Sequence, residues 1–205
     1  MKAPAVDNNT YEQKVSLRVT ALQQLGSTPV VMETHGGIGD VYAAVYRDVV
    51  DGVVFEKQAD RAAILANQRP TWSIYEADCV PAVKYGAGKH LTINLLDVDP
   101  YGSCWPVIDA FFSSKRPFAE RMMVVGNDGT GHKLRVQGGW QMEMMEPYLA
   151  KYGNHKLWEL YPDVAEEILT DLVAQAGYEV TFWDRYRCGV ELKMLHFVAV
   201  LERSE

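Results

Sequence analysis

The segment best suited to binding chemistry is a glycine-rich loop, Glu33-Thr34-His35-Gly36-Gly37-Ile38-Gly39. It directly follows a short apolar run at residues 29–32, which predicts a buried strand, and it precedes helical periodicity at residues 40–50. Glycines allow close backbone approach and positive φ. Because a loop that opens a helix is a natural anion and nucleotide site, the sequence predicts a nucleotide-like ligand here.

The glycines fit the dinucleotide fingerprint only in part. Gly37 and Gly39 occupy its first two positions, but Tyr42 stands where the third glycine would allow close helix–strand packing. The Glu33 carboxylate would repel a pyrophosphate and would suit a cationic amino-acid ligand. A nicotinamide oxidoreductase is therefore disfavoured.

Acidic side chains recur where the next two predicted strands end. Glu56 ends the second strand and could accept both ribose hydroxyl protons, while Asp78 follows the third strand and could accept from an adenine amine. One such acid alone would more often be a solvated strand end. Together with Glu33, the three acids at one sheet edge favour a binding site.

The elements that must position these residues alternate along the chain. The predicted strands lie at residues 29–32, 52–55, 71–75, 90–96 and 122–125. The predicted helices lie at residues 11–25, 40–50, 59–68, 80–85 and 105–112. This alternation predicts a parallel α/β sheet, which binds ligands at its carboxyl edge.

The last third of the chain has a different pattern. Residues 162–176 predict an amphipathic helix, and residues 178–183 and 193–201 predict a closing hairpin. The turn-rich stretch 127–140 predicts a loop that could act as a lid. Without an internal repeat or long linker, residues 1–205 are interpreted as one domain, with a helical extension at residues 1–28.

Residues 29–126 resemble the class I S-adenosylmethionine-dependent methyltransferase family. Residues 30–39 are similar to its first motif, Glu56 to its ribose acid and Asp78 to its adenine-side acid, whereas His35 stands where many members have a small residue or Cys. The resemblance implies a Rossmann-like α/β/α sandwich with a mostly parallel seven-stranded sheet, order 3-2-1-4-5-7-6, whose last strand is antiparallel. It also implies S-adenosyl-L-methionine as cofactor, bound by Glu33, Thr34, His35, Gly36, Gly37, Gly39, Glu56, Lys57, Asp78, Cys79 and Asp97.

A second motif, Asp97-Val98-Asp99-Pro100-Tyr101-Gly102-Ser103, follows the fourth predicted strand. It resembles the Asp-Pro-Tyr-Gly-Ser segment of tRNA guanine-N2 dimethyltransferases, and the match extends to Pro106 and Asp109. An amine nucleophile gains from a carboxylate that accepts its proton or hydrogen bond. We therefore predict Asp99, Pro100 and Tyr101 as catalytic residues.

Each of these residues has a distinct predicted role. Asp99 is the acceptor, Pro100 stiffens the loop, and Tyr101 either stacks on a planar substrate or packs under the sheet edge. Asp97 either faces the methionine end of the cofactor or caps the following helix.

Net charge, apolar runs and cysteine content limit the remaining interpretations. The net charge of −7 disfavours a long nucleic-acid footprint, no apolar run could cross a bilayer, and no signal-like N-terminus is present, so we expect a cytoplasmic protein without membrane contact. The three cysteines are read as free thiols, and no metal site is expected. Five cations are either solvated or form a basic rim for RNA or DNA: Lys115, Arg116, Arg121, Lys133 and Arg135.

The resulting functional prediction is N-methylation of a nucleobase in RNA or DNA. A methyltransferase acting on a small molecule or protein, and a non-catalytic cofactor-binding subunit, remain alternatives. The oligomeric state is left open.

Overall fold

A seven-stranded mixed sheet forms the centre of the structure. The structure is a computed structural model that describes residues 10–137, 143–189 and 192–204. The strand order is β3-β2-β1-β4-β5-β7-β6. The strands are β1 Val30–Glu33, β2 Asp51–Glu56, β3 Ser73–Glu76, β4 Leu95–Val98, β5 Arg121–Asp128, β6 Tyr178–Cys188 and β7 Met194–Arg203. Strands β1 to β5 pair in parallel, and β7 pairs antiparallel with both β5 and β6. The predicted class and strand order are confirmed.

Helices cover both faces of the sheet. They are α1 Tyr11–Leu25, α2 Ala59–Gln68, α3 Cys79–Lys84, α4 Trp105–Ser113, α5 Thr130–Gln137, α6 Glu146–Tyr152 and α7 Asn154–Ala174, with a π-helical segment Tyr42–Tyr46 and a 3₁₀ turn Glu143–Met145. One core lies under α1, the π-helical segment and α2, and the other lies under α3, α4 and α7. The result is the predicted three-layer sandwich. Within the described ranges, no helix combines the length and apolarity needed to cross a membrane.

The fourth strand is shorter than predicted and begins directly after Asn94, whose side chain and backbone both bond to the start of β1. Its side-chain oxygen accepts from the Val30 nitrogen at 2.7 Å, and its amide nitrogen donates to the Thr28 carbonyl at 2.8 Å. These bonds fix the start of β1, so residues 90–94 lie outside the strand and β4 begins at Leu95.

The stretch predicted as a loop is largely regular. Strand β5 continues to Asp128, and α5 begins at Thr130, whose backbone nitrogen donates to the Asp128 carboxylate at 2.9 Å. The same carboxylate accepts from the Tyr161 hydroxyl at 2.6 Å and from the Cys104 nitrogen at 3.2 Å. Tertiary bonds therefore stabilise a helix that its weakly amphipathic sequence did not reveal. Residues 138–140 of the predicted lid lie outside the described residues.

The sequence predicted that helix α7 starts at Pro162. The helix instead begins eight residues earlier, at Asn154. A proline inside a helix removes the hydrogen bond to the carbonyl four residues earlier. Here that carbonyl, of Trp158, accepts from the Arg187 guanidinium of β6 at 2.6 Å. The proline is thus accommodated by a contact that also docks α7 on the sheet.

Candidate active site

The glycine-rich loop leaves β1 and packs its backbone onto β2. The Gly36 nitrogen donates to the Phe55 carbonyl at 3.0 Å, and a Cβ at Gly36 would lie 2.5 Å from the Val54 side chain. Gly37 has a φ of +55°, and nothing lies within 4 Å of a Cβ placed there. The loop is therefore closely packed at Gly36 and open at Gly37, as a backbone that approaches a ligand must be.

Glu56 joins the end of β2 to this loop. One carboxylate oxygen accepts from the Gly37 nitrogen at 3.1 Å, and the other accepts from the Gln58 nitrogen at 2.8 Å. Each oxygen retains a further lone pair for a hydroxyl donor. Asp78 caps α3 by accepting from the Val80 nitrogen at 3.1 Å, and both Asp78 and Lys57 are exposed.

His35 links the loop to the turn after β3. Its Nδ1 lies 2.9 Å from the Thr34 hydroxyl, and its Nε2 lies 3.6 Å from the Cys79 sulfur. Burial lowers the pKa of His35 and raises the pKa of Cys79 to about 12. Both side chains are therefore neutral near pH 7 and bridge two turns of the sheet edge.

Glu33 and Asp97 have partners inside the protein. Glu33, 4 % exposed, pairs with the buried Arg69, and burial raises its pKa although Arg69 opposes this effect. Asp97, 1 % exposed, accepts from the Arg18 guanidinium at 2.6 Å through both oxygens and from the Tyr46 hydroxyl at 2.8 Å. Both carboxylates are thus paired with buried arginines in this structure. Their predicted contacts with the cofactor remain predictions.

Asp99 lies at the end of β4 under the first helix. Lys14 donates to its two oxygens at 2.8 and 3.0 Å, and Arg18 lies 3.6 Å away. Burial acts to raise the pKa of Asp99, but Arg18 and Lys14 hold it below its usual value. Asp99 is therefore an anion at neutral pH. Neither cation was predicted from the sequence, where their one signal is a spacing of four residues on α1.

The loop after Asp99 presents an aromatic ring to solvent. Tyr101 is 94 % exposed, which excludes the alternative that it packs under the sheet edge. The Gly102 carbonyl accepts from the Gly129 nitrogen at 2.8 Å, and the Ser103 hydroxyl accepts from the Thr130 hydroxyl at 2.9 Å. An exposed ring thus projects from an anchored loop.

A polar cluster next to Asp99 consists of the fully buried Asn127 and His196 and the half-buried Tyr186. Asn127 on β5 is the register partner of His196 on β7, and both are 0 % exposed. The Tyr186 hydroxyl lies 3.1 Å from His196 Nδ1. Among the described residues, His196 Nε2 and both amide atoms of Asn127 lack a hydrogen-bond partner of good geometry. None of the three was predicted as a site residue from the sequence.

We expect His196 to remain neutral in mildly acidic solution, because burial lowers its pKa to about 4. The unfolded chain binds this proton near pH 6.5, so stability from this group is lost as the pH falls from 6.5 towards 4. The measurement is the imidazole carbon–proton NMR spectrum of the folded protein, assigned with His196→Gln. A His196 midpoint above pH 6 would contradict the expectation.

The predicted basic rim is not assembled by the residues that the structure describes. Arg116 is buried and donates to the Val83 and Ala87 carbonyls at 3.0 and 3.2 Å. Arg121 begins β5, at the edge opposite the glycine-rich loop, and pairs with Glu202. Lys115 precedes that edge, Lys133 is exposed on α5, and the Arg135 side chain lies outside the description.

Comparison with known proteins identifies the class of fold. No family model and no curated protein sequence matches the chain. Among solved structures, Trm1 from Pyrococcus horikoshii with S-adenosyl-L-methionine is 12 % identical with a TM-score of 0.66 over 96 % of this chain, which spans 56 % of that protein. TYW2 from M. jannaschii with AdoMet is 14 % identical with a TM-score of 0.59, over 98 % of this chain and 79 % of that one. The N-methyltransferase NodS from Bradyrhizobium japonicum WM9 with S-adenosyl-L-homocysteine is 11 % identical, with a TM-score of 0.57 over 95 % and 87 %.

These similarities, together with the strand order, define a class I methyltransferase fold. At these identities they establish the architecture, and the activity has to be argued from the site.

Proposed function

We propose that the protein is an S-adenosylmethionine-dependent methyltransferase that methylates a nucleobase amine in RNA or DNA. The observation that carries the proposal is the ionised Asp99 at the end of β4. It lies on the same sheet edge as the open Gly37 backbone and Glu56, beside the exposed Tyr101.

The residues at the carboxyl edge fit the cofactor. Gly37 leaves open space where a nucleoside can approach, Glu56 retains acceptor capacity for ribose hydroxyls, and the exposed Asp78 can accept from an adenine amine. When bound, S-adenosylmethionine supplies a methyl group on a cationic sulfur. Structural neighbours with this cofactor or its demethylated product support the assignment.

The chain's own contribution is to hold and orient the methyl acceptor. Asp99 accepts a hydrogen bond or proton from the amine as positive charge develops on nitrogen. Tyr101 offers a stacking face for a base removed from its helix. In this structure Lys14 donates to the Asp99 carboxylate. The substrate amine replaces Lys14 as the partner of that carboxylate.

The motif at residues 97–103 and two structural neighbours support the proposed substrate class. NodS is named an N-methyltransferase, and PH1948 from Pyrococcus horikoshii is named a putative RNA methyltransferase. The net charge of −7 favours a second candidate, a small-molecule amine, because an acidic protein attracts polyanions poorly.

A methyl-transfer screen tests the proposal. Tritiated S-adenosylmethionine is incubated with the protein and, separately, tRNA, rRNA, DNA, protein or a metabolite extract. We expect label in nucleic acid, reduced at least about 100-fold by Asp99→Asn, and unchanged by Glu179→Gln, which alters an exposed strand acid elsewhere.

Each other outcome points to a different conclusion. Label confined to metabolites would replace the nucleobase by the second candidate. No label in any pool, with cofactor binding intact, would indicate a non-catalytic subunit and overturn the proposal.

A further inference from the structure

We propose that Asn127 determines the specificity for the methyl acceptor, and that its amide binds a nucleobase edge on which a hydrogen-bond donor and an acceptor lie side by side. This inference rests on the proposed function and names the residue that would select its substrate.

The first argument is the unsatisfied state of the amide. Asn127 is 0 % exposed, and among the described residues its amide interacts with the Asp99 carboxylate alone, without a hydrogen bond of good geometry at either Oδ1 or Nδ2. A buried polar group without a partner destabilises a fold, and native proteins contain few of them. Asn94 shows the usual solution, because its side chain makes three hydrogen bonds to Ser27, Thr28 and Val30. Asn127 therefore carries unused binding capacity.

The second argument is its position. The amide lies beside the Asp99 carboxylate and adds to the lowering of the pKa of that acid. Its register partner His196 has an unpaired Nε2 in the same cluster and lies within the electrostatic reach of Asp99 and Lys14. The unused hydrogen-bonding groups thus surround the carboxylate that would receive the amine.

The third argument is the layer above. The side chains of Lys14 and Asp99 are 20 % and 18 % exposed, whereas Asn127 and His196 are fully buried. The Lys14–Asp99 ion pair is therefore the outer boundary of the cluster. An amine that displaces Lys14 from Asp99 would bring its ring to Asn127.

The chemistry of the amide defines the ligand. Asparagine offers one acceptor and two donors in a fixed planar group, which matches a ring edge through two parallel hydrogen bonds. In a duplex the Watson–Crick edges are occupied, so the base must be unpaired or flipped out to bind here. The inferred acceptor is an unpaired nucleotide with its amine at Asp99 and its neighbouring ring atoms at Asn127.

The test compares two buried asparagines. Asn127→Val removes an amide whose one partner among the described residues is the Asp99 carboxylate, whereas Asn94→Val removes three hydrogen bonds of good geometry. We expect Asn127→Val to melt at the same temperature as the wild type or up to about 6 °C higher, and Asn94→Val to melt several degrees lower.

Binding provides the second readout. Affinities of guanosine, adenosine, cytidine and uridine are measured by NMR titration of the full chain saturated with S-adenosylhomocysteine. We expect the wild type to prefer one nucleoside. Asn127→Val should lower the affinity for that nucleoside by between about 5-fold and 150-fold and reduce the preference among the four. The affinity for S-adenosylhomocysteine should not change.

Two results would overturn the inference while leaving the proposed function intact. One is normal cofactor binding with no nucleoside bound by the wild type. The other is an unchanged nucleoside preference in Asn127→Val, whatever its melting temperature. If the wild type does not bind S-adenosylhomocysteine at all, the proposed function itself is refuted.

Discussion

Glu56→Ala should lower the affinity for S-adenosylhomocysteine at least about 100-fold. The carboxylate fixes the Gly37 nitrogen at 3.1 Å and would also accept the ribose hydroxyls. The substitution therefore removes charge-assisted ligand bonds and the bond that shapes the loop at once. Isothermal titration calorimetry of the purified protein measures the effect.

Gly37→Val should abolish the same binding by a different route. A β-branched side chain is strained at a φ of +55° and would fill the space now open above the loop. Glu179→Ala, at an exposed position on β6, is the control and should bind like the wild type. Normal affinity in both Glu56→Ala and Gly37→Val would show that the ligand lies elsewhere.

Arg18→Met should reduce the free energy of unfolding by about 3–5 kcal/mol, the largest stability effect that we expect. Arg18 is 0 % exposed and binds both oxygens of the buried Asp97. Methionine replaces the aliphatic part of the side chain but leaves a buried carboxylate without its cation. Urea unfolding at pH 7 measures the loss.

Two further variants identify the cause of that loss. Arg18→Met combined with Asp97→Leu removes both charges and should recover much of the stability, because the unpaired ion is gone. Arg121→Met breaks the half-exposed pair with Glu202 and should cost at most about 1 kcal/mol. A loss below about 1 kcal/mol for Arg18→Met would contradict the role that we give to this ion pair.

The architecture could be predicted because its signals are local. Apolar runs that end in an acid or glycine marked the parallel strands, and 3.6-residue periodicity located α1 and α2 at their observed bounds. The errors occurred where distant contacts decide the structure. The Asn94 side chain bonds to the start of β1, Asp128 fixes the start of α5, and Arg187 accommodates Pro162 inside α7.

The site was predictable only in part for the same reason. The glycine-rich loop, Glu56 and Asp99 follow strands in sequence, and their common edge could be predicted from topology. The partners of the acids could not, because Arg18 and Lys14 lie 79 and 85 positions from Asp97 and Asp99. Asn127 and His196 are neighbours through the antiparallel register of β5 and β7, which no local sequence pattern predicts.

The most direct test of the central claim is a crystal structure of the protein with S-adenosylhomocysteine. We predict difference density for the adenosyl group against Gly37, with the ribose hydroxyls donating to Glu56 and the sulfur directed towards Asp99. Well-ordered ligand bound away from this edge, or crystals at millimolar ligand with solvent alone beside Gly37, would contradict the account.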